Sequence, residues 1–180
     1  MSSFYIALIP PKHILDCVTQ VMQHFADNYS SRAALKSPPH ITLQPPFKWD
    51  ESNITQLQQH LKNFASSRTH VPVTLNQYGA FPPCVIYIDV LNTPELTALQ
   101  SDLMIYMESL GICDPNAKTR PFTPHMTVAY RDLTKQNFKL AWQEFEHRQV
   151  NFEFIADNIS LLLHDGKRWN ISSQFQCASN

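Results

Sequence analysis

The chain is poor in the residues that build phosphate-cradling loops. It has only 3 glycines in 180 residues. None sits in a Walker-type or dinucleotide-binding pattern, both of which need glycine for close backbone approach to a phosphate. Its 4 cysteines, Cys17, Cys84, Cys113 and Cys177, are scattered, with no Cys-x-x-Cys. Neither a zinc knuckle nor a dithiol redox motif is indicated. Charge of either sign is also lacking in excess: the formal net charge is −1. Without a basic field the chain has no global means of holding long nucleic acid by its phosphates, so a nucleotide would have to be held in a local pocket. No apolar run approaches the ~20 residues of a membrane span. The opening Met-Ser-Ser-Phe-Tyr-Ile-Ala-Leu-Ile-Pro lacks a charged n-region and is too short for a secretory leader. The expectation is a reduced, cytoplasmic protein with no membrane association and no obligate protein partner.

What is present is core material and a pattern. Hydrophobic residues make up 43% and aromatics 11%, enough for one large domain or two small packed lobes. Phe4–Ile9 is an apolar run stopped by Pro10-Pro11, a first strand. Apolar residues at helical spacing predict helices over 12–28 and 53–65. A short strand, 40–43, is expected to close at Pro45-Pro46. Val71, Val73 and Leu75 alternate, predicting a half-buried strand over 71–78, with a turn at 79–83 and another strand over 85–91. Thr93-Pro94 reads as a capped helix start, with the helix ending near Gly111. A strand at 123–130, a helix at 134–147 and a strand at 150–155 follow. The chain closes with strands 159–164 and 167–175 around Asp165-Gly166, a strong hairpin signal. Strands outnumber helices, which predicts an α+β fold with mostly antiparallel sheets.

Two stretches say nearly the same thing. Pro39-His40-Ile41-Thr42-Leu43 and Pro124-His125-Met126-Thr127-Val128 each read Pro-His-x-Thr followed by an apolar residue. With 8 His and 11 Thr in the chain, chance gives about 0.5 His-x-Thr, so one copy is noise. Two copies, each with Pro before and apolar residues around it, are not. The bland alternative is a pair of strand histidines that are simply hydrogen-bonded core residues. The two histidines lie 85 positions apart (40 and 125), which fits two pseudo-equivalent lobes.

On a strand, residues i and i+2 share a face. His40 therefore projects with Thr42, and His125 with Thr127. Two such strands side by side would place two imidazoles around a central space with two hydroxyls beside them. One neutral imidazole can take a proton from an attacking oxygen, and the other, protonated, can give one to the leaving oxygen. The hydroxyls can donate to non-bridging phosphate oxygens and hold the phosphorus in line. Metal binding is the rival use of two histidines. A catalytic zinc usually needs a third protein ligand, and no Asp or Glu lies within four residues of either histidine. The expectation is no metal and no cofactor.

With these motifs the chain resembles the two-histidine (2H) phosphoesterases, and more narrowly the 2′-5′ RNA ligase-like proteins. The matching stretches are Phe4-Tyr5-Ile6-Ala7-Leu8-Ile9-Pro10, Ser37-Pro38-Pro39-His40-Ile41-Thr42-Leu43, Tyr78-Gly79-Ala80-Phe81 and Pro124-His125-Met126-Thr127-Val128-Ala129-Tyr130-Arg131. The resemblance implies a single bilobal domain over 1–180, with two pseudo-symmetric lobes, flanking helices and a central cleft, each lobe contributing one His-x-Thr. It implies metal-independent phosphodiesterase activity on 2′,3′-cyclic or 2′-5′ phosphodiester bonds, with a nucleotide or RNA terminus as partner. A nucleotide-binding module of the same fold with little turnover is the alternative. The chain departs from the ligase branch after Thr42, where Leu43-Gln44-Pro45-Pro46-Phe47 replaces a Phe-Leu-Gly-like run.

His40 and His125 are thus the expected acid/base pair, and Thr42 and Thr127 the phosphate holders. Arg131 and Arg120 flank the second motif and could grip a phosphate as fork donors, or be solvated charges. Phe81 and Tyr78 could stack on a base, or be plain core. The remaining histidines, His13, His24, His60, His70, His147 and His164, read as surface residues.

Overall fold

The computed structural model describes residues 1–117 and 119–179. In chain order the elements are β1 (Ser2–Leu8), α1 (Lys12–Tyr29), β2 (Ile41–Trp49), α2 (Ile54–Ser66), β3 (Val71–Phe81), β4 (Val85–Val90), α3 (Pro94–Ser109), β5 (His125–Ala129), α4 (Lys135–Phe145), β6 (Asn151–Ala156), β7 (Asn158–His164) and β8 (Trp169–Gln176). The strands form two four-stranded sheets, β2-β1-β7-β8 and β5-β4-β3-β6. Every neighbouring pair within them is antiparallel. The fold is α+β. Among the described residues no helix is long and apolar enough to cross a membrane.

The two sheets match position for position. In each, a motif strand (β2 or β5) lies at the edge, pairs with one inner strand (β1 or β4), and is joined to it by one helix (α1 or α3). The helices cross over. α1 packs against β5 and α3 against β2, so each half's helix supports the other half's motif strand. Alternation does the packing. Phe4, Ile6 and Leu8 of β1 and Ile86, Ile88 and Val90 of β4 enter one large core with the buried stripes of the helices. Tyr5 and Ala7 face the other way, with Leu162 and Trp169.

The helix starts follow from their caps. Thr93 Oγ1 accepts from the Leu96 amide, with Pro94 at the first helical position, and Thr134 Oγ1 accepts from the Asn137 amide. Three strand boundaries differ from the sequence expectation. β2 does not close at Pro45-Pro46 but runs on to Trp49. It is an edge strand, and its pairing with β1 carries an extra residue both between Thr42 and Gln44 and between Gln44 and Phe47. Such bulges spare the prolines a ladder hydrogen bond. β3 continues through Gly79–Phe81, and the chain reverses over 82–84. The Asp165-Gly166 reversal is a loop over 165–168, closed by the Asp165 amide donating to the Arg168 carbonyl.

Candidate active site

His40 ends the turn before β2, and His125 opens β5. Both are half-buried, and the proline before each is buried. These prolines set the orientation of the imidazoles. A residue that precedes proline is held extended, which presents the carbonyls of Pro38 and Thr123 to the histidine two places on. His40 Nδ1 lies 2.7 Å from the Pro38 carbonyl oxygen and His125 Nδ1 lies 2.6 Å from that of Thr123. A carbonyl can only accept, so Nδ1 carries the hydrogen in both rings. Nε2 is then the free nitrogen of each, in the same orientation on both sides. The repeated Pro-His therefore fixes a tautomer as well as a position.

β2 and β5 lie against each other. His40, Thr42 and Thr127 line one cavity of about 210 Å³, together with Tyr5, Arg131 and Trp169. His125 and Thr42 line a second, larger one of about 1010 Å³ that runs along α3 and past Arg120 and Phe81. The four motif residues thus stand where the two cavities meet. Among the described residues no group of three or more His, Cys, Asp or Glu is arranged to hold a metal ion.

The surroundings of the two imidazoles differ. The Tyr5 ring lies 4.9 Å from that of His40, and Trp169 packs edge-on against Tyr5 at 4.6 Å. The Tyr5 hydroxyl bonds the Ser37 hydroxyl, which in turn lies 3.4 Å from His40 Nδ1. Enclosure pushes the His40 pKa down to about 4, and nearby His125 adds to this, against an opposing contribution from the Pro38 carbonyl. At neutral pH His40 is a neutral imidazole. His125 instead sits beside the rings of Tyr87, at 5.2 Å, and Phe81, at 5.3 Å, and Phe81 is 40% exposed. Burial raises the pKa of both Tyr5 and Tyr87, so both phenols stay protonated.

Tyr87 owes its place to Gly79. The two residues are cross-strand partners, and a Cβ on Gly79 would come within 2.4 Å of the Tyr87 ring. Arg131 is held by an unusual backbone. Its φ is +60° and the Asp132 amide bonds the Tyr130 carbonyl at 2.7 Å, a tight reversal that β-carbon-bearing residues rarely adopt. The guanidinium lies 5.3 Å over the Tyr130 ring. Asp132 then reaches across to the other half. It accepts from the Ser31 hydroxyl at 2.9 Å and from the Arg32 and Ala33 amides at 2.8 and 3.0 Å.

Of the side chains singled out in the sequence, His40, His125, Thr42, Thr127, Arg131, Arg120 and Phe81 line these two cavities. Tyr78 does not. It is 7% exposed and packs edge-on against Phe145 in the core. Gln77, at φ +52°, is an extra residue in β3 between Leu75 and Tyr78. It reverses the alternation, so the residue that strict alternation points outward turns in. His24 is not a free surface residue either: its Nε2 lies 2.9 Å from Glu144, joining α1 to α4. His164 sits beside Trp169 at 4.8 Å and its Nδ1 accepts from the Gly166 amide. Tyr5, Tyr87, Ser37 and Trp169 were not legible as site residues. Phe4-Tyr5-Ile6 and Ile86-Tyr87-Ile88 read as unbroken apolar runs, and only the strand period of two separates the tyrosines from their buried neighbours.

Comparisons with known proteins bear on the family and the fold. A family model described as the 2′-5′ RNA ligase superfamily matches residues 10–168. A candidate phosphoesterase of Geobacillus kaustophilus is 29% identical over 174 residues, covering 94% of this chain and 93% of that protein. One from Oceanobacillus iheyensis is 28% identical over 173 residues, covering 94% and 95%. Among solved structures, TT0787 of Thermus thermophilus superposes with a TM-score of 0.69 at 16% identity, covering 99% of each chain. LigT of E. coli, crystallised with 3′-AMP, gives 0.67 at 16% identity over 98% of each. At such identities the structures speak for the fold, and the family model speaks for descent: the chain belongs to the 2′-5′ RNA ligase superfamily of phosphoesterases.

Proposed function

We propose that this protein is a metal-independent phosphodiesterase acting on 2′,3′-cyclic or 2′-5′ phosphodiester bonds of RNA ends or nucleotides. The observation that carries the reading is the matched pair of imidazoles. Each has Nδ1–H committed to a backbone carbonyl and Nε2 left free, and a threonine from each motif lines the space beside them. LigT, the E. coli relative in fold, has been crystallised with 3′-AMP, NADP+, ATP and phosphate, which supports a nucleotide ligand here.

The environments divide the roles. His40, enclosed and neutral, is the base: its Nε2 takes the proton of the attacking water. His125, in the open groove, is the acid: its Nε2–H protonates the oxygen that leaves phosphorus. Thr42 and Thr127 donate to the non-bridging oxygens, and Arg131 offers a charged fork at the edge of the same cavity. The product of cyclic phosphate opening is a phosphomonoester on the ribose. Metal independence is supported by the fact that both proton transfers have a named side chain.

The test is turnover of a panel of 2′,3′-cyclic nucleotides and 2′-5′-linked dinucleotides with EDTA present. Expected is EDTA-resistant turnover that falls at least a hundredfold in His40→Ala and in His125→Ala. Turnover surviving both substitutions within tenfold, or abolished by EDTA, overturns the mechanism. Tight binding with no product would leave the chain a nucleotide-binding module.

A further inference from the structure

We infer that the groove along α3 holds the sugar and base of the substrate, while the smaller cavity beside His40 holds the phosphoryl group and the attacking water. This rests on the phosphodiesterase reading and adds a direction to it. The two cavities share Thr42 but are otherwise unlike. The His40 cavity has about 210 Å³ and already contains both threonines and Arg131. At about 30 Å³ per water it takes a phosphoryl group and a few waters, and it falls below the ~300 Å³ at which small-molecule sites begin. The groove has about 1010 Å³, ample for a nucleoside.

Helix α3 carries the second argument. One stripe, Leu96, Leu99, Leu103 and Met107, is buried in the core. A different stripe, Thr97, Ser101, Met104, Ile105 and Glu108, lines the groove. These lie at i, i+4, i+7, i+8 and i+11, one continuous helix face. Its middle is apolar although unburied: Ile105 is 63% exposed. Hydroxyls of Thr97 and Ser101 and the amide of Gln100 flank that apolar centre, a mixture suited to a ribose and the flat face of a base. Phe122 and Phe81 line the same groove, and the Phe81 ring packs edge-on against His125 at 5.3 Å. The face stands open to the groove, and it is continuous with a catalytic imidazole. Those two facts together assign it to the organic half of a ribonucleotide.

The direction follows from in-line displacement. Water enters from the enclosed side, gives its proton to His40 Nε2, and forms the new P–O bond. The bond to the ribose oxygen on the groove side breaks, and His125 Nε2–H supplies that oxygen's proton. One water is consumed, and one phosphomonoester forms, still attached to the ribose lying along α3.

The experiment fills each cavity in turn. Ser101→Trp and Ile105→Trp occupy the groove from exposed helical positions. Pro46→Trp, from an exposed position, occupies the mouth of the smaller cavity. Binding of adenosine 3′-monophosphate and of adenosine is measured by calorimetry, with kcat and KM for adenosine 2′,3′-cyclic phosphate measured separately. Expected are at least tenfold weaker binding and higher KM in the groove variants, with kcat within threefold. Pro46→Trp, which crowds the phosphoryl cavity, should instead lower kcat and weaken binding of the monophosphate while leaving binding of adenosine itself within threefold, whereas the groove variants should weaken binding of both. The reverse pattern, or no binding of the monophosphate by the wild-type protein, overturns the groove assignment even where turnover persists. Groove-dependent binding without any turnover sustains the assignment while sinking the phosphodiesterase reading. Circular dichroism confirms that each variant is folded.

Discussion

The His40 half and the His125 half of the site are built from the same four-residue text yet present it differently. In both, a buried proline aims an i−2 carbonyl at Nδ1 and frees Nε2. Around that shared frame the halves diverge. Tyr87 lies directly across the ladder from Thr127, whereas Ala7, with no ring, lies across from Thr42, and the nearby aromatic is Tyr5, two residues back. His40 is closed in by Tyr5, Ser37 and Trp169, while His125 borders the open groove. The motif supplies an imidazole in a fixed tautomer; in the proposed mechanism it is the walls that make one the base and the other the acid.

The comparison can be broken most severely at the imidazoles. His40→Ala and His125→Ala should each lower kcat by about 10²–10⁴. The double variant should lose little more than either single one, because the two act on one transition state. Next come the hydroxyls. Thr42→Ala and Thr127→Ala should each cost about 10–10² in kcat/KM, as loss of a donor to a developing charge does. Equal losses would say that the phosphate sits symmetrically between the halves; a larger loss at Thr127 would place it nearer β5.

A smaller change sharpens the contrast on the His125 side alone. Gly79→Ala pushes the Tyr87 ring off its seat. It should cost about three- to tenfold in kcat while leaving the acid limb of the pH profile in place, since that limb belongs to His40. The smallest effect is on pH. His40 must be neutral to act, and its pKa is lowered to about 4, so kcat/KM should hold until pH falls towards 4. Trp169→Ala opens the cavity to water and should move that limb up towards the ordinary 6.5. The sign for stability is consistent. Between pH 6.5 and 4 the unfolded chain takes up a proton at this position that the folded chain refuses, so stability declines as pH falls through that window. Urea titrations at pH 7 and pH 5 check it, and the decline should shrink in His40→Gln.

Much of this was legible in the sequence where a feature was local. Thr93-Pro94 caps its helix as written, and the strand period places His and Thr together. What was hidden depended on partners distant in sequence. Nothing in Gln44-Pro45-Pro46-Phe47 says that β2 is an edge strand able to bulge through two prolines; that follows from β2 ending its sheet, with β1 on one side and no strand on the other among the described residues. Tyr78 read either as a stacking ring or as plain core, and the structure makes it core; the Gln77 bulge that turns it inward has no glycine or proline to announce it. Tyr5 and Trp169 are 164 positions apart (5 and 169) and form one wall only because β1 lies beside β7, whose hairpin with β8 begins at Trp169.

Asp132 has a mechanical meaning beyond its hydrogen bonds. It stands seven residues after His125, and the amide it holds on Ala33 stands seven residues before His40. The two jaws are therefore pinned by one carboxylate at equal leverage from their tips, as in a calliper with a locked pivot. Widening the gap between the imidazoles would break three hydrogen bonds at once. The spacing of the two motif strands is thereby a property of the fold itself and does not wait on a ligand to set it.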